Sequence, residues 1–314
     1  MLNRRLLLLS SLVAGAGLSL PGLAQEKSAQ DKPAEGKLPV VASFSILADF
    51  VREVGGERVA LITLVGPDGD AHVYSPSPAD AKAMAAASLV VVNGLKFEGW
   101  LTRLLKSSGT KAKLATATEG ITPLKMQDDG HGHGHGGEDP HAWQSVSNAK
   151  VYVANILKAL SAADPAGKAI YEANAAAYLA KLDALETEIK AAVARIPADR
   201  RKAITSHDAF AYFAKAYGIA FVAPQGVSTE AEASARDVGR IIRQVKAQKV
   251  PAVFLENISN PRLAEQIARE SGARIGGRLY SDALSGSDGP AGTYIAMMKH
   301  NISQIEKALA AGPA

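Results

Sequence analysis

Three histidines stand in settings suited to chemistry: His72 in G-D-A-H-V-Y-S-P, His141 in E-D-P-H-A-W and His207 in T-S-H-D-A-F-A-Y-F. All three occupy turn or helix-start positions rather than helix faces, so a fold can bring them together from distant parts of the chain. A late carboxylate, Asp282 in L-Y-S-D-A-L-S, follows another predicted strand. Alone it could merely cap a turn, but with the histidines it completes an N3O set. Zinc accepts three imidazoles and one carboxylate tetrahedrally, whereas manganese prefers more oxygen. His131, His133 and His135 alternate with glycine just before His141. Such a loose tract is expected to capture ions weakly and locally, as an auxiliary low-affinity loop.

The composition limits what else could hold an ion and where. There is no cysteine, so disulfides and thiolate ligands are both excluded. The start, M-L-N-R-R-L-L-L-L-S-S-L-V-A-G-A-G-L-S-L-P-G-L-A, has the layout of an export signal, with cleavage expected after Ala24. Its apolar run from Leu6 to Leu20 is interrupted by Ser and Gly and is short for a span of about 20 apolar residues. The adjacent arginines leave Sec and twin-arginine export both open. With no Cys to carry a lipid after the signal, the expectation is a soluble periplasmic protein without a lipid anchor. Removing Arg4 and Arg5 with the signal leaves 33 basic residues against 31 acidic ones, which argues against nucleic-acid binding. Hydrophobic residues at 47% are ample for real cores, and aromatics at only 5% argue against a sugar-stacking pocket.

The elements that must position these residues alternate along the chain. After the signal (1–24) and a polar tether (25–37), strands are predicted at Leu38–Phe44, Val59–Val65, Leu89–Asn93 and Ala112–Thr118. Helices are predicted between them at Ile46–Val54, Pro78–Ala87 and Trp100–Leu105. Strands without polar alternation, separated by helices, indicate a buried parallel sheet. This N-terminal lobe is assigned to 38–144, including the His-rich loop 127–138, and a connecting helical segment to 145–197. Within that segment Asp164 is expected to cap a helix opened by Pro165. Tyr178, Leu182, Leu185, Ile189, Ala192 and Ile196 recur every three or four residues up to Pro197, which predicts a helix of about 48 Å. A second α/β lobe, 198–314, repeats the style of the first. The fold class is therefore α/β, with two similar lobes of central sheets flanked by helices, joined by a long rigid connecting helix.

In open α/β sheets ligands gather outside the carboxyl ends of strands. Two ligands from each half would place an ion in the crevice between lobes. Metal-bound imidazoles usually give their other N–H to a carboxylate or carbonyl, and Asp70, Asp139, Glu230 and Glu256 are unranked candidates for that role. His300 reads as an exposed residue of the last helix.

With these segments assembled, the chain resembles the zinc- and manganese-binding solute receptors of ABC importers, over nearly all of its length from Leu38. The segments carrying the likeness are D-A-H-V-Y-S-P-S-P-A-D, E-D-P-H-A-W and T-S-H-D-A-F-A-Y-F-A-K-A-Y-G, supported by G-V-S-T-E-A-E-A-S-A, F-L-E-N-I-S-N-P and L-Y-S-D-A-L-S. The resemblance implies metal ligands at His72, His141, His207 and Asp282. Receptors with His at the position of His207 tend to carry zinc, and those with a carboxylate there manganese. A His-rich loop is likewise a zinc-receptor trait, although here it is short. The first motif departs from the family pattern, with Ala71 where proline is common and Ser75 where a glutamate often follows the tyrosine. Neither change removes a ligand.

The expected function is capture of Zn2+ as transported cargo and its delivery to an ABC permease with its ATPase subunit. A periplasmic zinc metallochaperone is a further possible partner, and the protein is expected to act as a monomer. Manganese or ferrous iron is the alternative cargo. A periplasmic zinc hydrolase is disfavoured because the chain lacks H-E-x-x-H and four protein ligands leave no position for an activated water. A surface adhesin is disfavoured by the absence of an anchor.

Overall fold

Short, unbroken apolar runs become the strands of two parallel sheets in the computed structural model of this protein, which describes residues 36–125 and 137–310. The first sheet contains β1 (Leu38–Phe44), β2 (Val59–Val65), β3 (Leu89–Val92) and β4 (Lys113–Thr116) in the order β2-β1-β3-β4. The second contains β5 (Lys202–Ile204), β6 (Ala220–Val222), β7 (Ala252–Glu256) and β8 (Arg274–Leu279) in the order β6-β5-β7-β8. Every pairing in these two sheets is parallel. In each half the chain steps outward once and then returns across its first strand. That reversal creates a topological switch between β1 and β3, and another between β5 and β7, the places where such sheets hold ligands. β3, Leu-Val-Val-Val, is buried along its whole length, as expected of an aliphatic strand covered on both faces.

Nine α-helices cover the sheets among the described residues: α1 (Ser45–Gly55), α2 (Pro78–Ala86), α3 (Leu101–Ser108), α4 (Val146–Ala163), α5 (Lys168–Ala194), α6 (Ala211–Tyr217), α7 (Ala235–Gln248), α8 (Arg262–Ser271) and α9 (Tyr294–Ala310). Their starts follow local chemistry. Ser77 and Asp80 form a reciprocal capping box at α2, and the Ser145 and Ser234 hydroxyls accept the N–H groups of Asn148 and Asp237. Gly218 ends α6 in the left-handed region, at φ 76°, where a Cβ would be unfavourable.

The long connecting helix is α5. All six residues of the predicted apolar stripe, from Tyr178 to Ile196, are buried. The helix is shorter than the expected span: residues 165–167 form a 3-10 turn, and the α-helix covers 27 residues, or about 40 Å. Asp164 does not cap it. Its carboxylate instead takes Arg58 at 2.7 Å and the Tyr171 hydroxyl at 2.7 Å, a charge-assisted pairing that outcompetes a neutral N–H donor. One continuous core runs from the first sheet through α4 and α5 to one face of the second sheet and α9. The opposite face of the second sheet packs under α7 and α8 around Ile204, Ile241, Val253 and Ile267.

The export signal 1–24, the tether up to residue 35, and His131, His133 and His135 lie outside the described residues.

Leu182 is fully buried at the middle of α5. Leu182→Ala is expected to lower unfolding stability by about 2–5 kcal/mol, read from urea denaturation, because the packed surroundings cannot collapse into the space left.

Candidate metal centre

The four residues singled out in the sequence meet. One donor atom from each of His72, His141, His207 and Asp282 lies within 4.8 Å of all the others. Each arrives on a loop beyond the carboxyl end of a strand: His72 after β2, His141 after β4, His207 after β5 and Asp282 after β8. Asp282 Oδ2 is 3.1 Å from both His72 Nε2 and His207 Nε2, while Oδ1 is 3.5 Å from His141 Nε2. The Nε2 atoms of His72 and His141 are 3.3 Å apart. An ion bound tetrahedrally with bonds of about 2.0–2.1 Å separates its donors by about 3.3 Å. The four separations given above, 3.1–3.5 Å, are close to that spacing.

The tautomers follow from what lies behind the rings. His141 Nδ1 is 2.8 Å from Asp139 Oδ1, and His207 Nδ1 is 2.7 Å from Glu256 Oε2. A carboxylate only accepts, so Nδ1 of His141 carries the proton and its neutral ring turns a bare Nε2 lone pair into the pocket. Glu256 favours the same tautomer of His207 by its proximity, although that pair is not aligned as a hydrogen bond. Asp282 adds further lone pairs, and its Oδ1 is buried with no hydrogen-bond partner. A pocket lined only with acceptors is unfavourable unless a cation, a proton or a metal ion, sits among them.

The electrostatics agree. Burial, the largest single influence on His141, opposes its charge, yet the Asp282 carboxylate and the Asp139 contact outweigh it and push the ring up to about 9. Burial likewise opposes charge on His207, and Glu256 and Asp282 on either side raise it well above the ordinary imidazole value. Asp282 would be raised by burial, but His141 and His207 hold it well below the usual carboxylate range. Glu256 is held down by His207 despite its burial.

Of the four carboxylates considered as supports, Asp139 and Glu256 take that place. Asp70 accepts the backbone N–H of His72 at 2.9 Å rather than its ring, and Glu230 is exposed and makes no contact with the four. His300 is half-buried, not exposed, with Nε2 3.0 Å from the Arg278 carbonyl.

The structure adds residues that the sequence did not single out. Asn93 Nδ2 donates to the Pro140 carbonyl beside His141, and its own Oδ1 accepts from Tyr152. Glu98 lies behind it, raised by burial, and accepts from the Ser43 hydroxyl and the Asn93 N–H. Tyr212, on α6, donates to the Asp139 carbonyl. Trp143 and Gln144 both donate to the Ser281 carbonyl next to Asp282, which ties the His141 segment to the Asp282 loop. Phe97 meets His72 edge-on at 4.7 Å, and Trp143 lies 5.2 Å from His141, so aromatic rings wall the pocket on this side. Trp143 was visible in E-D-P-H-A-W; Glu98 carries no local signal.

Residues 40–308 match the family described as zinc-uptake complex component A, periplasmic. The iron-binding protein YfeA of Yersinia pestis is 36% identical over 271 residues, 86% of each chain. The manganese ABC transporter substrate-binding lipoprotein PsaA of Streptococcus pneumoniae is 32% identical, over 91% of this chain and 94% of its own. Among solved structures, the periplasmic zinc binding protein TroA from Treponema pallidum is similar with a TM-score of 0.82 at 30% identity, covering 88% of this chain and 100% of that one.

A His141 held at about 9, against an ordinary 6.5, stabilises the metal-free fold while it is protonated. That contribution is complete below about pH 6.5 and is lost as pH rises to about 9. A metal needs the neutral ring, so its contribution runs the other way. Chelator-treated protein should show Tm falling over this interval, and the rise in Tm on adding zinc should grow over it. A metal-free Tm that climbs through the same range contradicts the assignment.

Proposed function

The chain belongs to the family of zinc-uptake complex component A, the periplasmic metal-binding receptors of ABC importers, and from that premise we propose that its cargo is Zn2+. The observation that carries this reading is the donor set: three imidazoles and one carboxylate at tetrahedral spacing in a buried pocket. Nitrogen-rich, four-donor sites suit zinc, whereas manganese and ferrous iron are served by sites with more oxygen or more ligands. The ion is enclosed by His72 and His141 from the N-terminal lobe and by His207 and Asp282 from the C-terminal lobe. Asp139 and Glu256 orient two of the rings and make them more basic.

The receptor acts in the periplasm as a monomer, after removal of the segment 1–24, and hands the ion to a permease powered by its ATPase subunit. His131, His133 and His135 act as a weak collecting tract for the same ion, which a metallochaperone also supplies. No catalytic role is proposed, because four protein donors leave no place for an activated water. The two lobes are 38–144 and 198–314, with the connecting segment 145–197 between them.

Manganese or ferrous iron is the competing cargo, and the relatives described above motivate keeping it in the test. Competitive titration, with elemental analysis of protein from metal-limited cells, is expected to find one zinc per chain. His207→Ala and His72→Ala should each weaken zinc by more than about 100-fold, since even the supporting carboxylates of such sites are worth about 10–100-fold. Asp139→Asn and Glu256→Gln should fall within that smaller range. Tight zinc binding that survives both histidine changes, or preferential recovery of manganese or iron, defeats the zinc reading.

A further inference from the structure

His72 differs from the other three donors in two ways. Its side chain is 5% exposed, whereas His141, His207 and Asp282 are at 0%. Among the described residues, no carboxylate lies against its Nδ1, as Asp139 and Glu256 lie against the other two rings. Its orientation therefore depends on where its loop sits. Within the N-terminal lobe, Trp100 Nε1 holds the Ala71 carbonyl at 2.8 Å on one side.

The other side is held across the crevice, by three separate segments of the C-terminal lobe. The Thr229 hydroxyl donates to Asp70 Oδ2 at 2.6 Å, while Asp70 Oδ1 accepts the His72 backbone N–H. Asn257 Nδ2 donates to Asp68 Oδ1 at 3.0 Å, and the Asp68 N–H donates to the Leu284 carbonyl at 2.8 Å. Asp68 sits in the left-handed region at φ 55°, a conformation that aspartate tolerates but that persists only where neighbours enforce it. Two carboxylates two residues apart, one of them on the strained residue itself, thus reach Thr229 and Asn257 in the opposite lobe, and the Asp68 N–H adds a third tie, to Leu284.

We propose that Asp68 and Asp70, with Thr229 and Asn257, form a clasp that closes the His72 loop over the bound ion and sets how slowly it escapes. They are positioning residues: none donates to the ion, and they act by fixing the one ligand whose ring lacks a carboxylate support. Thr229 lies in G-V-S-T-E-A-E, a segment otherwise without a role in the centre, and Asn257 directly follows Glu256, the carboxylate behind His207. The inference rests on the metal-receptor reading of this pocket.

The test uses the full mature chain loaded with zinc, mixed with a chelator in stopped flow, together with cobalt-loaded protein to report ligand geometry by its visible spectrum. Thr229→Val keeps the side-chain shape and removes the hydroxyl. It is expected to speed zinc release about tenfold, the effect of losing one hydrogen bond to a charged group. Association should stay the same, and so should the cobalt spectrum. Thr229→Ser should restore slow release, and Thr229→Val with Asn257→Ala should release faster than either alone. An unchanged release rate in the double variant overturns the clasp, and so does an altered cobalt spectrum, which would place these residues in the ion's own geometry. His207→Ala separates the two readings: tight zinc retained there defeats the receptor chemistry, whereas an unchanged Thr229→Val defeats only the clasp.

Discussion

Lone pairs aimed at one another in a buried pocket are the constraint on which the rest of this structure depends. Three Nε2 atoms and a carboxylate do not converge because they attract each other. They converge because the backbone forces them together and because carboxylates behind two of the rings dictate which nitrogen is bare. Such a cluster in a dry interior is costly without a cation. The fold must supply enough rigidity to keep the donors assembled, and much of its architecture can be understood as meeting that demand.

The two sheets share one strand order, so each lobe offers loops beyond its carboxyl ends at a topological switch, and the loops meet across a crevice. What prevents the lobes from swinging apart is the packing behind them. α5 buries its stripe against both halves, and a single apolar core continues from the first sheet to the inner face of the second. Polar ties reinforce this packing, as when the Tyr294 N–H at the start of α9 meets the buried Asp49 of α1. With the lobes packed together behind the crevice, control of release is sought in the loop that carries His72.

Much of this was legible in the chain. The unbroken aliphatic run Leu-Val-Val-Val at 89–92, short and set between helical patterns, and the three-to-four-residue stripe on α5 each point to one kind of element. The three histidines stand out by their turn-like settings, whereas Asp282 is singled out chiefly by the family resemblance. What could not be read was pairing at a distance. Asp164 is a good cap by local rules, but Arg58, 106 positions earlier, claims it. Glu230 looked as plausible a support as Glu256, and only the β7 register puts Glu256 behind His207 while Glu230 faces solvent. The Asn93–Glu98 network behind His141 had no signature, because buried polar residues are recognised by their partners rather than by their neighbours in sequence.

The pKa directions explain how one pocket can be stable both with and without its ion. Asp139, Glu256 and Asp282 surround the rings with negative charge that a divalent cation would offset. Without the ion that charge is met by protons, since these same carboxylates raise His141 and His207 against the burial that opposes them. Loading then exchanges protons for metal at nearly constant buried charge. The carboxylates that make the imidazoles stronger ligands also make them stronger bases, so affinity for the ion and competition from protons rise together. A site built this way need not collapse or flood with water when empty, and its readiness to reload depends on how easily those protons leave.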